Sequence, residues 1–268
     1  MSSCKVCTRF QRSRTREPLL NHDIPDIPFY KVGADIAYFA GKNYLVVVDY
    51  YSRWIEVLEL LNKTSAEIIN KMRNIFSRFG IPALLIADNN PFNSYEFSSF
   101  LKEWNITLYT SSPHHHQSNG LAEKAVGTVK KMLKKSAETN QNFELYMLNY
   151  RNAPVAGFEY SPSQLLMNRT LRSKLPIPIK KLKHEIVSSN IMYKMQKSKK
   201  SQENYYNKKC SKLLEFIGGE KVWLQNIVSH LWEPAIIVKK LNDPRSYLVR
   251  TRHNKILRRN SIYLKKYF

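Results

Sequence analysis

Three acidic side chains offer this sequence its chemistry. Asp35 stands inside the small, apolar run Gly33-Ala34-Asp35-Ile36, Asp88 ends the apolar run that begins at Ala83, and Glu123 falls near the start of a long helical pattern. An acid within a strand needs a partner or a metal, because an isolated carboxylate is costly to remove from water. Carboxylates delivered by three separate elements suit two divalent ions, Mg2+ or Mn2+. Such a pair activates an attacking oxygen and stabilises a leaving one during phosphoryl transfer. Any one of these acids, taken alone, reads at least as well as a satisfied surface or capping group.

The helical pattern adds to the case. Glu123, Gly127, Lys130 and Lys134 recur at the spacing of one helix face, and Leu121, Ala125, Val129 and Met132 form the opposite, apolar stripe. One exposed face therefore carries a carboxylate and two lysines, the set needed to hold a metal beside a phosphate. The bland reading of the same face is a row of solvated lysines.

The elements that must position these acids are legible from turns and periodicity. Residues 32–39 and 44–51 read as strands joined at Gly41-Lys42, and residues 53–60 supply a third. Thr64 opens a helix with Glu67 completing a capping box, and Gly80 closes it before Pro82. A short strand over 83–87 delivers Asp88; a helix near 94–104, a strand at 106–110 and a long helix over 118–139 follow. Two more helices span 142–152 and 162–168, the second with Ser161 as its cap and Pro162 at its first position. The order βββαβαβα is that of a ribonuclease-H-like α/β core, a mixed five-stranded sheet with flanking helices. Downstream, short strands at 221–225, 235–240, 246–250 and 255–258 predict a compact β-barrel. The expected domains are an extended lead-in over 1–28, the core over 29–175, a Lys-rich helical linker over 176–215 and the barrel over 216–268.

Charge separates these parts. The 268 residues carry a formal net charge of +22, which points to a polyanionic partner, most often nucleic acid. Residues 1–170 hold 20 basic and 15 acidic side chains, whereas residues 171–268 hold 23 and 6. The first part is balanced like an enzyme, and the last third is built to hold phosphates. Residues 1–16 lack the apolar stretch of a signal peptide, and the longest apolar run, Tyr44–Val48, is too short to cross a bilayer, so no membrane partner is expected. Three cysteines cannot build a disulfide framework, which fits a reducing intracellular compartment. Cys4 and Cys7 have the spacing of two zinc thiolates, but His22 is badly placed and no second pair lies nearby, so a complete zinc site is not expected.

Several strings resemble the integrase of gypsy-type LTR retrotransposons. They are residues 44–54 (YLVVVDYYSRW), Phe79-Gly80-Ile81-Pro82, Ser111-Ser112-Pro113, residues 117–123 (QSNGLAE), Tyr150-Arg151-Asn152-Ala153-Pro154, Ser161-Pro162 and Leu165-Leu166. They occur in order over nearly the whole chain. The resemblance implies that Asp35, Asp88 and Glu123 are the catalytic, metal-binding acids and that Asp49 is a structural acid on the neighbouring strand. Gly219-Glu220-Lys221-Val222-Trp223, Trp232-Glu233-Pro234, residues 244–249 (PRSYLV) and Arg258-Arg259-Asn260 resemble the family's SH3-like, DNA-binding C-terminal domain. Cys4 and Cys7 resemble the end of its His-His-Cys-Cys zinc domain, whose histidine half is absent here.

Two departures bear on activity. Relatives usually read Asp-Asn-Gly-Pro-Gln-Phe after the second catalytic strand, and this chain reads Asp88-Asn89-Asn90-Pro91-Phe92, one residue shorter. Asn tolerates the left-handed turn a glycine would make. His114-His115-His116 replace the usual aromatics and proline, and in a loop they read as solvated or phosphate-contacting rather than metal-binding.

The expectation is a retroelement integrase that trims an element's DNA 3′ end and joins it to target DNA with two divalent ions. Gln117, Asn119, Lys130 and Lys134 are expected to contact DNA from the core, and Arg245, Arg258 and Arg259 from the barrel. The resemblance implies a homo-oligomer, and the substrate implies residence in the nucleus, with the Lys-rich segment 194–212 in weak support. The alternatives are a catalytically impaired or domesticated integrase-derived DNA-binding protein and, behind it, a ribonuclease-H-type nuclease acting on RNA–DNA hybrids.

Overall fold

The computed structural model describes residues 4–14, 17–18, 23–88, 91–110, 119–155, 159–188, 190–208, 210, 214–242 and 244–267. The chain forms two compact units. One comprises the described residues of 22–110 and 119–200; the other comprises those of 1–21 and 201–268.

The larger unit contains a five-stranded sheet built from β1 (Lys31–Phe39), β2 (Lys42–Asp49), β3 (Ile55–Leu60), β4 (Leu84–Ala87) and β5 (Thr107–Thr110) in the order β3-β2-β1-β4-β5. The first three strands are antiparallel, and β4 and β5 run parallel to β1. This is the mixed sheet expected from the βββαβαβα order. Alternation along β1 divides its side chains between two cores. Val32 and Ala34 join the cluster formed with helices α2 (Ser65–Phe79) and α3 (Tyr95–Glu103). Ala37 joins the cluster formed with α4 (Gly120–Thr139) and α5 (Phe143–Asn152). Both faces of the sheet are therefore covered, as a sheet with parallel strands requires.

Local signals set these elements. The Thr64 side chain accepts from the Glu67 amide at the start of α2, and Gly80 ends that helix at φ 91°. The second half of the expected capping box does not form. The Glu67 carboxylate turns to the Leu61 amide and to Lys71 instead. The complete box forms at α6 (Pro162–Met167), where Ser161 and Gln164 satisfy each other's amides. The apolar stripe of α4 is wider than the four expected residues. Ala122, Val126 and Leu133 join Ala125, Val129 and Met132 in the buried set, while Leu121 is only partly buried.

The smaller unit contains a second five-stranded sheet, all antiparallel: β6 (Lys221–Gln225), β7 (Trp232–Lys240), β8 (Ser246–Thr251), β9 (Ile256–Asn260) and β10 (Leu264–Lys266), in the order β10-β6-β7-β8-β9. A register shift between Ile237 and Lys239 bends β7, the usual effect of a bulge. Phe216, Val222, Ile237, Tyr247, Val249 and Leu264 then share one core. Strand β10 follows a 3-10 turn over Ser261–Tyr263 and is too short to register in a period-two reading. The segment read as an extended lead-in contains a five-residue helix, α1 (Lys5–Arg9), whose cap is Cys4. The Lys-rich linker holds α7 (Ile179–Leu182) and α8 (Ile191–Asn207).

Candidate active site

The backbone brings the three acids to one end of the larger sheet. Ala34 of β1 pairs with Ala87 of β4, so Asp35 and Asp88 are the next residues along two adjacent parallel strands. By alternation Asp35 shares a face with Gly33 and Ala37, the face covered by α4. A Cβ at Gly33 would sit 3.3 Å from the Ala122 Cβ, so the absence of a side chain there lets α4 approach β1 closely. Glu123 is the residue after Ala122, in the first turn of α4. Asp35 and Asp88 are partly buried and Glu123 is exposed.

The side chains are less gathered than the backbone. One Asp35 oxygen accepts from the amide of Ile36 at 2.7 Å. Among the described residues no group of three His, Cys, Asp or Glu side chains is placed to hold a metal ion. The donor set suits Mg2+ or Mn2+, since hard cations take carboxylate oxygens. The fit thus rests on the placement of three backbones and on donor chemistry.

Asn119 was expected to touch DNA and instead has a packing role. Its side chain is fully buried, and Nδ2 donates to the Ala34 carbonyl at 3.1 Å. That bond ties the start of α4 to β1 one residue from Asp35, which makes Asn119 a positioning residue. Lys130 and Lys134 lie on the exposed face with Glu123 and Gly127, as the helical spacing requires. Lys134 also reaches Glu138 at 3.8 Å, an exposed pair worth little. Gln117, His114-His115-His116 and Asn89-Asn90 lie outside the described residues.

Much of the motif set is architecture. Asp49 is fully buried and accepts from the amides of Phe29 (3.0 Å), Tyr51 (3.2 Å) and Ser52 (2.9 Å) and from the Ser52 hydroxyl. Burial pushes its pKa up, and these hydrogen bonds oppose the shift. Asn152 clamps Leu171, donating to its carbonyl at 2.8 Å and accepting from its amide at 2.9 Å. Tyr150 donates its hydroxyl to the Arg53 carbonyl at 2.9 Å. The sequence reading missed the buried charge cluster beside β3, where Glu56 meets Arg78 (3.0 Å), Arg151 (2.8 Å) and the Trp54 indole (2.7 Å). Its signal was an acid inside the apolar run Ile55-Glu56-Val57.

In the smaller unit Arg245 is also a correction. It was expected to contact DNA, but its side chain is 9% exposed, with Nη1 donating to the Pro18 carbonyl and standing 3.7 Å from the buried Glu17 carboxylate. Arg245→Ala is therefore expected to lower thermal stability by about 2 kcal/mol, the scale of a hydrogen bond to a charged group. The salt dependence of DNA binding should stay unchanged in the same variant. Arg258 and Arg259 are partly buried, and Arg259 Nη1 donates to the Arg258 carbonyl at 2.9 Å. Cys4 and Cys7 are exposed thiols, with the Cys7 amide 3.4 Å from Cys4 Sγ.

Comparison with known proteins agrees with this geometry. Residues 25–116 match the integrase core domain family. A Caenorhabditis elegans protein, the uncharacterized protein K02A2.6, is 25% identical over 252 residues, covering 88% of this chain and 19% of that protein. The retrovirus-related Pol polyprotein from transposon gypsy of Drosophila melanogaster is 28% identical over 154 residues, covering 55% of this chain and 15% of its own length. This chain thus spans less than a fifth of either relative. Among solved structures, one of the simian T-cell lymphotropic virus intasome in complex with the PP2A regulatory subunit B56 gamma matches with a TM-score of 0.68 at 16% identity. That match covers 100% of this chain and 88% of the other, and it shows the fold. Residues 25–116 are thus similar to an integrase core domain, and the relatives include the gypsy transposon that the sequence strings resemble.

Proposed function

We propose that this chain is a retroelement integrase that processes an element's DNA 3′ ends and joins them to target DNA. The observation that carries the reading is the delivery of Asp35, Asp88 and Glu123 to one end of the sheet by β1, β4 and α4, the two aspartates lying within the residues that match an integrase core. These residues would hold two divalent cations, which supply Lewis-acid activation of water or of a 3′-hydroxyl and stabilise the leaving oxygen. Asn119 fixes the helix that presents Glu123. Lys130 and Lys134 extend the same exposed face along α4, where they would hold the DNA backbone beside the acids. The working form is proposed to be a homo-oligomer acting in the nucleus. Incubating a labelled duplex that ends in the element's terminal sequence tests the reading. A shortened 3′ product with Mn2+ and none with EDTA is expected, and an intact end in both would sink it.

A second reading, a DNA-binding protein without catalysis, is favoured by two observations. The sequence Asp88-Asn89-Asn90-Pro91-Phe92 is one residue shorter than the pattern it resembles, and among the described residues no group of three His, Cys, Asp or Glu side chains is placed to hold a metal ion. Salt-sensitive DNA binding without end processing would select it.

A further inference from the structure

The larger unit has an open cleft of about 860 Å³ at the far end of α4 from Glu123, roughly 25 Å along the helix axis. One wall is the turn from α4 into α5 with the first turns of α5, and the other is the segment that follows Leu171. Both walls are anchored. Asn140 ends α4 in the left-handed region at φ 51°, which turns the chain directly into α5. Asn152 of α5 holds Leu171 through both its carbonyl and its amide, and the Ser173 hydroxyl accepts from the Leu175 amide at 3.2 Å. Residues 172–174 therefore leave α5 at a fixed point.

The lining is neither core nor ordinary surface. Phe143, Tyr146, Met147 and Tyr150 turn to the core of the larger unit, whereas Leu145 and Leu148, one helical turn apart, are half-buried against the cleft. Around this apolar floor stand three amides, Asn140, Gln141 and Asn142, and Asn142 caps α5 without a side-chain bond. The charged members are Glu144, Arg172 and Lys174, all exposed, and no ion pair among the described residues engages any of them. The volume falls within the roughly 300–1,000 Å³ of small-molecule sites, which combine an apolar lining with a few polar groups.

The parts of a nucleotide match this lining. An unpaired base offers a flat face to apolar side chains and a Watson–Crick edge to hydrogen-bonding ones. Amides supply donors and acceptors to that edge, and a carboxylate accepts from the exocyclic amine of cytosine or adenine. Arginine and lysine take the phosphate. A purely apolar ligand would leave the acid and the cations unmatched, and an inorganic anion would leave the floor bare.

We propose that this cleft binds one unpaired nucleotide, its base against Leu145 and Leu148, its exocyclic amine on Glu144 and its phosphate on Arg172 and Lys174. The ligand is either a free nucleoside monophosphate or an unpaired nucleotide of a strand. The site is separate from the three acids and does not depend on catalysis by them. The test is saturation-transfer NMR of the full-length chain titrated with cytidine and uridine monophosphates at fixed ionic strength, with ribose phosphate as the control. Cytidine monophosphate should bind saturably and about tenfold more tightly than uridine monophosphate, which lacks the exocyclic amine. Arg172→Ala/Lys174→Ala should weaken both nucleotides by about tenfold or more, and Glu144→Gln should erase the preference between them. All three side chains are exposed, so melting temperatures should stay at wild type. A single-stranded oligodeoxycytidine that displaces cytidine monophosphate at a lower concentration per nucleotide assigns the site to a strand; without such displacement the free nucleotide is the ligand. No saturable binding to wild type, equal saturation by ribose phosphate, or a cytidine monophosphate affinity that neither variant changes overturns the proposal. Each of these results leaves the reading of the three acids untouched.

Discussion

Asp88→Asn is expected to lower DNA joining by about 10³-fold or more, the loss that follows when roughly 4 kcal/mol of transition-state charge stabilisation is removed. Asp88 follows β4 directly, beside Asp35 on the neighbouring strand, and it is only partly buried. The amide keeps the shape of the side chain and removes the charge a cation needs. Melting temperature and DNA affinity should therefore stay close to wild type while the initial joining rate collapses. A variant that joins DNA within tenfold of wild type would remove Asp88 from the reaction.

Arg151→Ala is expected to destabilise the core by about 3 kcal/mol, at the lower end of the cost of breaking a buried ion pair. Arg151 donates to the Ile55 carbonyl at 2.9 Å and to Glu56 at 2.8 Å, and its guanidinium lies 4.2 Å from the centre of the Trp54 ring. Glu56 is 4% exposed, so it cannot exchange this partner for bulk water. Arg78 remains on the other carboxylate oxygen, but its side chain is 46% exposed and compensates weakly. Thermal melting followed by circular dichroism should show a fall of about 10 °C. Arg151→Lys should recover little, because lysine cannot bond two oxygens while stacking on the indole. A loss below about 1 kcal/mol would contradict a structural role for the cluster.

These residues mark how far sequence reasoning reaches. The elements that carry Asp35, Asp88 and Glu123 were legible because strand alternation, a Gly-closed helix and the stripe on α4 each leave a local pattern. The close approach of α4 to β1 depends on Gly33 meeting Ala122, a long-range contact that no local window contains. Arg245 and Asn119 show the converse. Both are polar residues next to basic or polar neighbours, which reads as surface, yet Glu17 and the Ala34 carbonyl draw them inward. Their partners lie far away in sequence, so type and spacing could not reveal the burial. Strand β10 and the segment Gln11–Arg14, which bonds to Gln225, Trp232 and Lys265, escaped for the same reason, since short or irregular segments take their structure from what they pack against.

Strand transfer of a labelled element-end duplex into plasmid DNA with Mn2+ tests the central claim most directly, wild type beside Glu123→Gln, with DNA binding measured on the same preparations. Joined products with wild type and none with Glu123→Gln, at equal DNA affinity, is the predicted result. Joining that persists in Glu123→Gln would contradict the three-acid site, because α4 would then be delivering a residue the reaction does not use.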